Sequence, residues 1–241
     1  MNRHGLVSRA ATLVIACSVF ACKGDSRTQP SAQSAAGTAG ASASGDAATT
    51  STPARDDSIL ARADRGRIQG NENAPVWVIE VSDFECPYCG VWHDSVYAQL
   101  RREFIESGKV RFAYINYPIP SHRHAWPAAI TAMCAAEQDR FWPVHDAIFH
   151  SRAAWTPLTD SRAYFDSLAV ANGANAGRLR ACVESDAPRP LIQADMERAI
   201  AAGVNATPTF LIGDNRLSGV QPIDRLRAAI EQEIAKKRQG G

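Results

Sequence analysis

Two cysteines, Cys86 and Cys89, stand directly after a run of apolar, mostly β-branched residues, and this placement restricts the possible folds more than any other feature of the chain. The run, from Val76 to Val81, is nearly continuous in apolar residues, which predicts a strand covered on both faces. Large apolar residues at four-residue intervals follow the cysteines and predict a helix that begins at the pair and runs to about Glu106. A buried strand is therefore followed at once by a helix whose first turn carries both sulfurs on one face.

The start of a helix favours a reactive sulfur at Cys86. Unpaired N–H groups and a partial positive charge at a helix N-terminus stabilise a thiolate relative to the thiol. Pro87 fits the first helical position, because no N–H hydrogen bond is lost there. We predict that Cys86 is exposed and attacks a disulfide, and that Cys89, one turn further, is shielded and resolves the mixed disulfide. Pro87 and Tyr88, which separate the two cysteines, are expected to contact the substrate.

Zinc sites use the same cysteine spacing, so a metal is the main alternative for this pair. Such a site would need two further ligands, for which His93, His122 and His124 are candidates. No second Cys-x-x-Cys follows in the sequence. We therefore predict no metal ion and no organic cofactor.

The rest of the chain divides into a second strand, a long run of helices and a return to strands. Residues Val110 to Ile115 predict a strand that would pair in parallel with the first one. Between residues 124 and 203 the apolar spacing is helical throughout, which predicts an inserted all-helical subdomain. Strand residues return from Thr209 to Ile212. The predicted fold is α/β, with two parts, 58–123 and 204–241, on either side of the helical insertion.

Two segments resemble the DsbA-like branch of the thioredoxin superfamily. Ser82 to Cys89, with the sequence SDFECPYC, is similar to its active-site segment, and Gly203 to Phe210, with the sequence GVNATPTF, is similar to its cis-proline loop. The resemblance extends from about Ile68 to Ile234 and implies a thioredoxin-like fold with an inserted all-helical subdomain. It also implies that a cis peptide bond precedes Pro208 opposite the cysteines, and that the backbone of Thr207 pairs with an extended substrate.

An acidic residue, Glu80, interrupts the first strand six residues before Cys86. Thioredoxin-like proteins carry a buried acid at this position, so the resemblance implies proton transfer between Glu80 and Cys89. Burial raises the pKa of a carboxyl group and would suit it to that role. An exposed strand residue is the alternative. Asp83 and Glu85 are expected to be exposed acids beside the site.

The N-terminal residues predict export. Residues 1–21 combine positive charge with an apolar core from Ala10 to Ala21, which is typical of a signal peptide and too short for a membrane span of about 20 apolar residues. The end of this core resembles the lipobox of bacterial lipoproteins and predicts that Cys22 is lipidated. Cys17 is the second choice, and a plain secretory signal is the alternative. Residues 22–57 consist mainly of small and polar residues and predict a disordered tether.

Four cysteines remain after removal of the signal peptide and lipidation. Two of them, Cys134 and Cys182, lie on predicted helices of the insertion. In an oxidising compartment an even set of cysteines favours two pairs, so we predict a structural disulfide between these two residues. Two buried free thiols are the alternative.

These features predict a thiol-disulfide oxidoreductase that exchanges disulfides with cell-envelope proteins, and we expect it to act as an oxidase. A reductase or isomerase is the first alternative, because a threonine before the cis-proline is, within the superfamily, more typical of isomerases. A non-catalytic binding or chaperone module is the second alternative.

The expected partners are protein thiols or disulfides, a redox partner that recycles the pair, and the membrane through the lipid anchor. We expect a monomer on the periplasmic side of a bacterial envelope, either lipid-anchored or soluble. The net charge of +1, without long blocks of like charge, indicates no binding to nucleic acid.

Overall fold

A mixed five-stranded sheet places the end of its central strand directly before the cysteine pair. The strands, in chain order, are β1 (Ile68–Gln69), β2 (Val76–Ser82), β3 (Val110–Asn116), β4 (Thr209–Ile212) and β5 (Asn215–Ser218). They lie in the order β1-β3-β2-β4-β5. Strands β2 and β3 pair in parallel, which confirms the predicted crossover, and the other three pairings are antiparallel. The two-residue β1 was not predicted, because so short a strand has no visible periodicity.

The computed structural model describes residues 59–239. The predicted signal peptide at residues 1–21, the lipidation of Cys22 or Cys17, and the tether at residues 22–57 lie outside the described residues. Within residues 59–239, no helix has both the length and the apolar character needed to cross a membrane.

The helical segment that follows the cysteines alternates between α-helical and π-helical turns. Its parts are α2 (Pro87–Trp92), a π-helical turn (His93–Tyr97), α3 (Ala98–Leu100) and a second π-helical turn (Arg101–Ile105). The predicted apolar stripe is buried as expected, with Val96, Leu100 and Phe104 inside the core. Apolar spacing predicts the extent of this segment but does not distinguish the two kinds of turn, which differ only in the reach of the backbone hydrogen bond.

Six helices form the insertion between β3 and β4. They are α4 (Ala125–Ala136), α5 (Phe141–His150), α6 (Arg152–Trp155), α7 (Arg162–Ala171), α8 (Ala176–Ser185) and α9 (Arg189–Ala201). Helix α4 is buried over almost its whole length and packs against α5, α7 and α8. The apolar spacing between residues 124 and 203 predicts five helices, over 124–137, 141–150, 161–172, 175–184 and 190–202. These correspond to α4, α5, α7, α8 and α9, whereas the four-residue α6 was not predicted. Two further helices, α1 (Ile59–Gly66) and α10 (Ile223–Gln239), flank the sheet segments in the chain.

The apolar interior has two large parts, and the cysteine pair belongs to the part formed by the insertion. Cys86 and Cys89 pack with Phe84, Tyr114 and the buried faces of the insertion helices. The second part is formed by the sheet, the helical segment after the cysteines and α10. The insertion therefore supplies the apolar surroundings of the two sulfurs.

A disulfide joins Cys134 on α4 to Cys182 on α8, with 5.7 Å between the two Cα atoms. The two cysteines are separated by 48 positions in the sequence. This is the pairing predicted from the cysteine count.

Replacing both Cys134 and Cys182 by alanine should lower the free energy of unfolding by about 2 to 4 kcal/mol, because an unbridged unfolded chain gains the entropy of an open loop. Urea unfolding followed by circular dichroism measures this loss. Strong reductant should remove the difference between the wild type and the variant. A variant as stable as the oxidised wild type would contradict the prediction.

Candidate active site

Cys86 occupies the residue that caps the helix start, and its backbone is extended with φ −60° and ψ 122°. Its N–H donates to the carbonyl oxygen of Asp83 at 3.1 Å, and its own carbonyl oxygen accepts the N–H of Gly90 at 3.1 Å. Pro87 follows in the first helical turn. Cys86 therefore stands at the N-terminal end of α2, where unpaired backbone N–H groups face the sulfur.

The thiol of Cys86 has its pKa lowered to about 6. The hydrogen bond from the side chain of Cys89 contributes most to this shift, and burial opposes it. The side chain of Thr207 and the backbone N–H groups of Cys89 and Tyr88 lower the pKa further. The sulfur of Cys86 is therefore mainly a thiolate at neutral pH, which is the direction expected for a helix N-terminus.

Burial shifts the pKa of the second cysteine, Cys89, in the opposite direction. The pKa of Cys89 lies well above its ordinary value, chiefly because this side chain is fully buried, and also because it donates to Cys86 and feels the charge there. The two cysteines thus differ in ionisation although they are only three residues apart. At neutral pH the structure therefore favours the thiolate at Cys86 and the protonated thiol at Cys89.

Cys86 is only 4% exposed, so the prediction of an exposed attacking thiol is wrong for this structure. The reason is the loop before β4, since the carbonyl oxygen of Thr207 lies 3.5 Å from Sγ of Cys86 and covers it. Pro87, Tyr88, at 64%, and Val91, at 52%, are exposed beside the pair. A substrate that reaches the Cys86 sulfur must therefore replace the contact with Thr207.

The pairing of β2 with β4 explains why Thr207 meets Cys86 across 121 positions of sequence. Val81 lies opposite Thr209 in the antiparallel pair, so the residues before β4 stand beside the residues after β2. The peptide bond between Thr207 and Pro208 is cis, as the resemblance implied. The hydroxyl oxygen of Thr207 is buried and has no other hydrogen-bond partner among the described residues.

Glu80 lies in the middle of β2 and is 1% exposed. Burial raises the pKa of its carboxyl group to about 8, and the hydroxyl of Ser82 works weakly against this shift. Neither carboxyl oxygen has a well-formed hydrogen bond to any described residue. Glu80 therefore holds a proton at neutral pH, as its predicted role requires.

Two residues that the sequence reasoning missed, Ser82 and Tyr114, stand beside Glu80 and Cys89. Burial raises the pKa of Tyr114 well above its ordinary value, and the charges of Glu80 and Cys89 act in the same direction. The Ser82 side chain interacts with all three of the other groups. The parallel register pairs Glu80 with Tyr114, so the two predicted strands contained the signal that could have identified the tyrosine.

Asp83 is buried, which corrects the expectation of an exposed acid. Its carboxylate accepts the N–H of Glu85 at 2.8 Å and that of Ile119 at 2.8 Å, and it lies 2.7 Å from Nδ1 of His122. Burial raises the pKa of Asp83, and these partners oppose the shift. Asp83 thus fastens the loop after β2 to the loop after β3.

Glu85 is half-buried and also differs from the expected exposed acid. Its Oε2 accepts the N–H of His124 at 2.6 Å. The ring of His124 is buried, and its Nδ1 lies 2.9 Å from the hydroxyl of Ser161. His122 and His124 therefore each hold a loop beside the site, His122 through Asp83 and His124 through Glu85 and Ser161.

Arg152, on the unpredicted α6, holds the backbone just before the cysteines. Its Nε donates to the carbonyl oxygen of Phe84 at 3.2 Å, and its Nη2 donates to that of Glu85. The guanidinium group also occupies the space beside Gly90, where an added Cβ would meet Cδ of Arg152 at 2.9 Å. A side chain at position 90 would displace Arg152 from this contact. The close approach of Arg152 therefore explains why a glycine stands next to Cys89.

A family model described as Thioredoxin matches residues 62–232. The chain belongs to the thioredoxin family. The family match and the structure together confirm the predicted thioredoxin-like fold with an inserted all-helical subdomain.

Relatives of this thioredoxin-family chain include proteins of quite different length. The Na(+)/H(+) antiporter NhaA 3 of Salinispora tropica is 32% identical over 176 residues, which cover 73% of this chain and 26% of the antiporter. The chain thus spans about a quarter of the length of that relative. Disulfide bond formation protein D of Bacillus subtilis is 22% identical over 176 residues, which cover 70% of this chain and 78% of that protein.

The solved structure of alpha-DsbA1 from Wolbachia pipientis has the same fold as this thioredoxin-family chain. The TM-score is 0.64 at 20% identity, and the match covers 72% of this chain and 93% of that one. With the disulfide bond formation relatives, this likeness confirms the resemblance to the DsbA-like branch that the two sequence segments indicated.

Replacing Cys89 by alanine removes the hydrogen bond that contributes most to the low pKa of Cys86. The pKa of reduced Cys86 should rise from about 6 toward its ordinary value of 9.0. The pH dependence of thiolate absorbance at 240 nm measures this change. Cys89→Ser is the matched control, because its hydroxyl still donates and should keep the pKa low. An unchanged midpoint in Cys89→Ala would contradict this account.

Replacing Glu80 by glutamine should change how stability depends on pH. The carboxyl has a pKa of about 8 in the folded protein and an ordinary value of 4.5 in the unfolded chain. Between pH 4.5 and about pH 8 the carboxyl is protonated in the folded protein and ionised in the unfolded chain. The free energy of unfolding of the wild type therefore falls as pH rises through this range, by about 1.4 kcal/mol per pH unit. Glu80→Gln lacks this contribution.

Urea unfolding of the oxidised proteins between pH 5 and pH 8 tests this effect of Glu80. The wild type should lose stability relative to Glu80→Gln over the whole interval. Parallel pH profiles for the two proteins would show that the carboxyl is ionised in the folded state.

Proposed function

We propose that this chain is a thiol-disulfide oxidoreductase that introduces disulfides into other proteins, with Cys86 and Cys89 as its redox pair. The observation that carries the proposal is the opposite shift of the two thiols, since the pKa of Cys86 is lowered to about 6 and that of Cys89 is raised. Disulfide exchange needs one sulfur that leaves readily as a thiolate. Cys86 meets that requirement.

The reaction begins with the pair in the disulfide form. A thiolate of the substrate attacks Sγ of Cys86, the Cys86–Cys89 bond breaks, and Cys89 leaves as a thiolate that takes a proton. A second substrate thiolate then attacks the substrate sulfur of the mixed disulfide and expels Cys86 as a thiolate. The substrate loses two electrons and gains a disulfide, and the pair gains the two electrons.

Glu80 is proposed to supply the proton that Cys89 needs in the first step. Its pKa of about 8 means that it carries a proton at neutral pH, and both groups are buried away from bulk water. Ser82 and Tyr114 interact with both groups and complete a small polar cluster within an otherwise apolar region. A proton that moves within this cluster does not require opening of the core.

The direction of electron flow follows from the stability of the reduced pair. Every interaction that stabilises the Cys86 thiolate favours the dithiol over the disulfide, and a pair with a stabilised reduced form is a strong oxidant. The hydrogen bonds from Cys89, Thr207 and the helix N-terminus all have this effect. We therefore favour an oxidase over a reductase, an isomerase or a non-catalytic binding module.

Protein substrates are proposed to bind along the surface formed by the cysteine segment and the cis-proline loop. Tyr88 and Val91 provide exposed apolar contact area beside the pair. The backbone of Thr207 lies against Cys86 and is placed to pair with an extended chain. The pair then needs a second protein to accept its two electrons and restore the disulfide.

An envelope location on the periplasmic side is proposed from the N-terminal sequence, with residues 1–21 as signal peptide, Cys22 as the lipidated residue and residues 22–57 as the tether. Support comes from the apolar core from Ala10 to Ala21, which ends directly before Cys22. Residues 58–123 and 204–241 would then form the thioredoxin-like part, and residues 124–203 the insertion.

Oxidative refolding of a reduced, unfolded disulfide protein tests the proposed activity. The oxidised chain should convert thiols of the substrate to disulfides with a stoichiometry of one disulfide per chain, and Cys86→Ser should abolish the reaction. Reduction of insulin and reshuffling of a scrambled substrate are assayed in parallel. Efficient reshuffling with little net oxidation would instead identify an isomerase, and inactivity in all three assays would leave a binding module.

A further inference from the structure

A cavity of about 340 Å³ opens between the helical segment that follows the cysteines and helix α5. Its lining includes His93, Asp94, Tyr97, Arg101, Asp146 and His150. The disulfide chemistry proposed above uses none of these side chains.

One carboxylate oxygen in this region has two imidazole nitrogens around it. Oδ1 of Asp146 lies 2.8 Å from Nδ1 of His145 and 3.3 Å from Nε2 of His93. One donor atom from each of the three residues lies within 4.8 Å of the other two. Ligand atoms of a tetrahedral zinc site, with bonds of about 2.0 to 2.1 Å, are about 3.3 Å apart. The two distances to Asp146, 2.8 and 3.3 Å, thus lie near the spacing that such an ion requires.

Aromatic packing fixes both imidazole rings. His93 stacks on Tyr97 and Phe149, with ring centroids 5.1 and 4.7 Å away. His145 is fully buried and contacts the rings of Phe84 and Tyr114. Ligands that are already held in place lose little conformational entropy when an ion binds.

Outer contacts of the kind found around metal ligands are also present. Nδ1 of His93 lies 3.5 Å from Oδ1 of Asp94, so the nitrogen that faces away from Asp146 has a carboxylate of its own. The second oxygen of Asp146 lies 4.0 Å from Nη1 of Arg101. A carboxylate behind a ligating histidine, and a donor behind a ligating carboxylate, are regular features of zinc sites.

We propose that His93, His145 and Asp146 bind a divalent transition-metal ion, preferentially Zn²⁺, with a water molecule at a fourth position that faces the cavity. Two imidazoles, one carboxylate and a water molecule form a regular tetrahedral zinc ligand set, and the same protein ligands with more open positions suit Fe²⁺. This cluster contains no cysteine, and of the three histidines considered with the zinc alternative for the cysteine pair it shares only His93. It departs from the prediction of no metal, which took account of His93 but not of Asp146 or His145.

The ion would connect two parts of the fold. His93 follows α2 on the segment that begins at the cysteines, and Asp146 and His145 lie on α5 of the insertion. A ligand that binds only the folded state stabilises it in proportion to its occupancy. Zinc should therefore raise the thermal stability of the protein by fastening the insertion to the active-site helix.

The test uses the full chain without an affinity tag, fully oxidised so that no cysteine thiol is available to bind metal. Isothermal titration calorimetry with Zn²⁺ should show one ion per chain, and Co²⁺ should give the visible absorption of a tetrahedral site. Asp146→Asn, an isosteric change at a half-buried position, should weaken zinc binding at least about tenfold and remove the zinc-dependent rise in melting temperature. Circular dichroism establishes that the variant is folded.

His122→Asn is the matched control, because His122 also pairs with an aspartate, Asp83, but lies outside the cluster. It should bind zinc like the wild type. The absence of a one-to-one zinc complex in the wild type, or equal affinity in Asp146→Asn and the wild type, would overturn the proposal. Loss of binding in Asp94→Asn and His150→Asn, with Asp146→Asn unaffected, would also overturn it, because the ion would then occupy the exposed set that shares only His93.

Discussion

The hydrogen bond from the Cys89 side chain to the Cys86 sulfur is the interaction on which the chemistry of this protein depends. It makes the largest contribution to the lowered pKa of Cys86, and it also keeps the proton on Cys89. It exists because β2 ends directly before a helix whose first turn contains both residues. Without this junction, two cysteines in an apolar environment would both remain protonated thiols, since burial alone raises the pKa of each.

The helical insertion takes part in building the site. Its apolar core surrounds both sulfurs, and its short helix α6 supplies Arg152, which binds the two carbonyl groups just before Cys86. The hydroxyl of Ser161 contacts the ring of His124. The backbone N–H of His124 in turn donates to Glu85, which lies directly before Cys86. The bridge between α4 and α8 stabilises this insertion from within. The reactive segment is thus held on one side by the sheet and on the other by the insertion.

Local periodicity predicted the main strands, the active-site helix and five of the six insertion helices, because each of these buries a regular apolar stripe. Side-chain exposure in the loops was harder to predict. Asp83 looks like a surface acid in the sequence, but its burial depends on the N–H of Ile119 and the ring of His122, which lie in a loop that is distant in the chain. The covering of Cys86 by Thr207 has the same origin, since it depends on the pairing of β2 with β4. Tyr114 reads as an ordinary strand residue until the parallel register places it opposite Glu80.

The reduction potential of the Cys86–Cys89 pair tests the central claim most directly, because it measures how strongly the structure favours the reduced form. It is obtained by equilibrating the chain with glutathione buffers of known ratio and quantifying the dithiol fraction, with Cys134 and Cys182 replaced by alanine so that one pair is observed. A stabilised Cys86 thiolate predicts a potential near that of strong oxidants, about −120 mV, and a value near about −270 mV, typical of a reductant, would contradict the account.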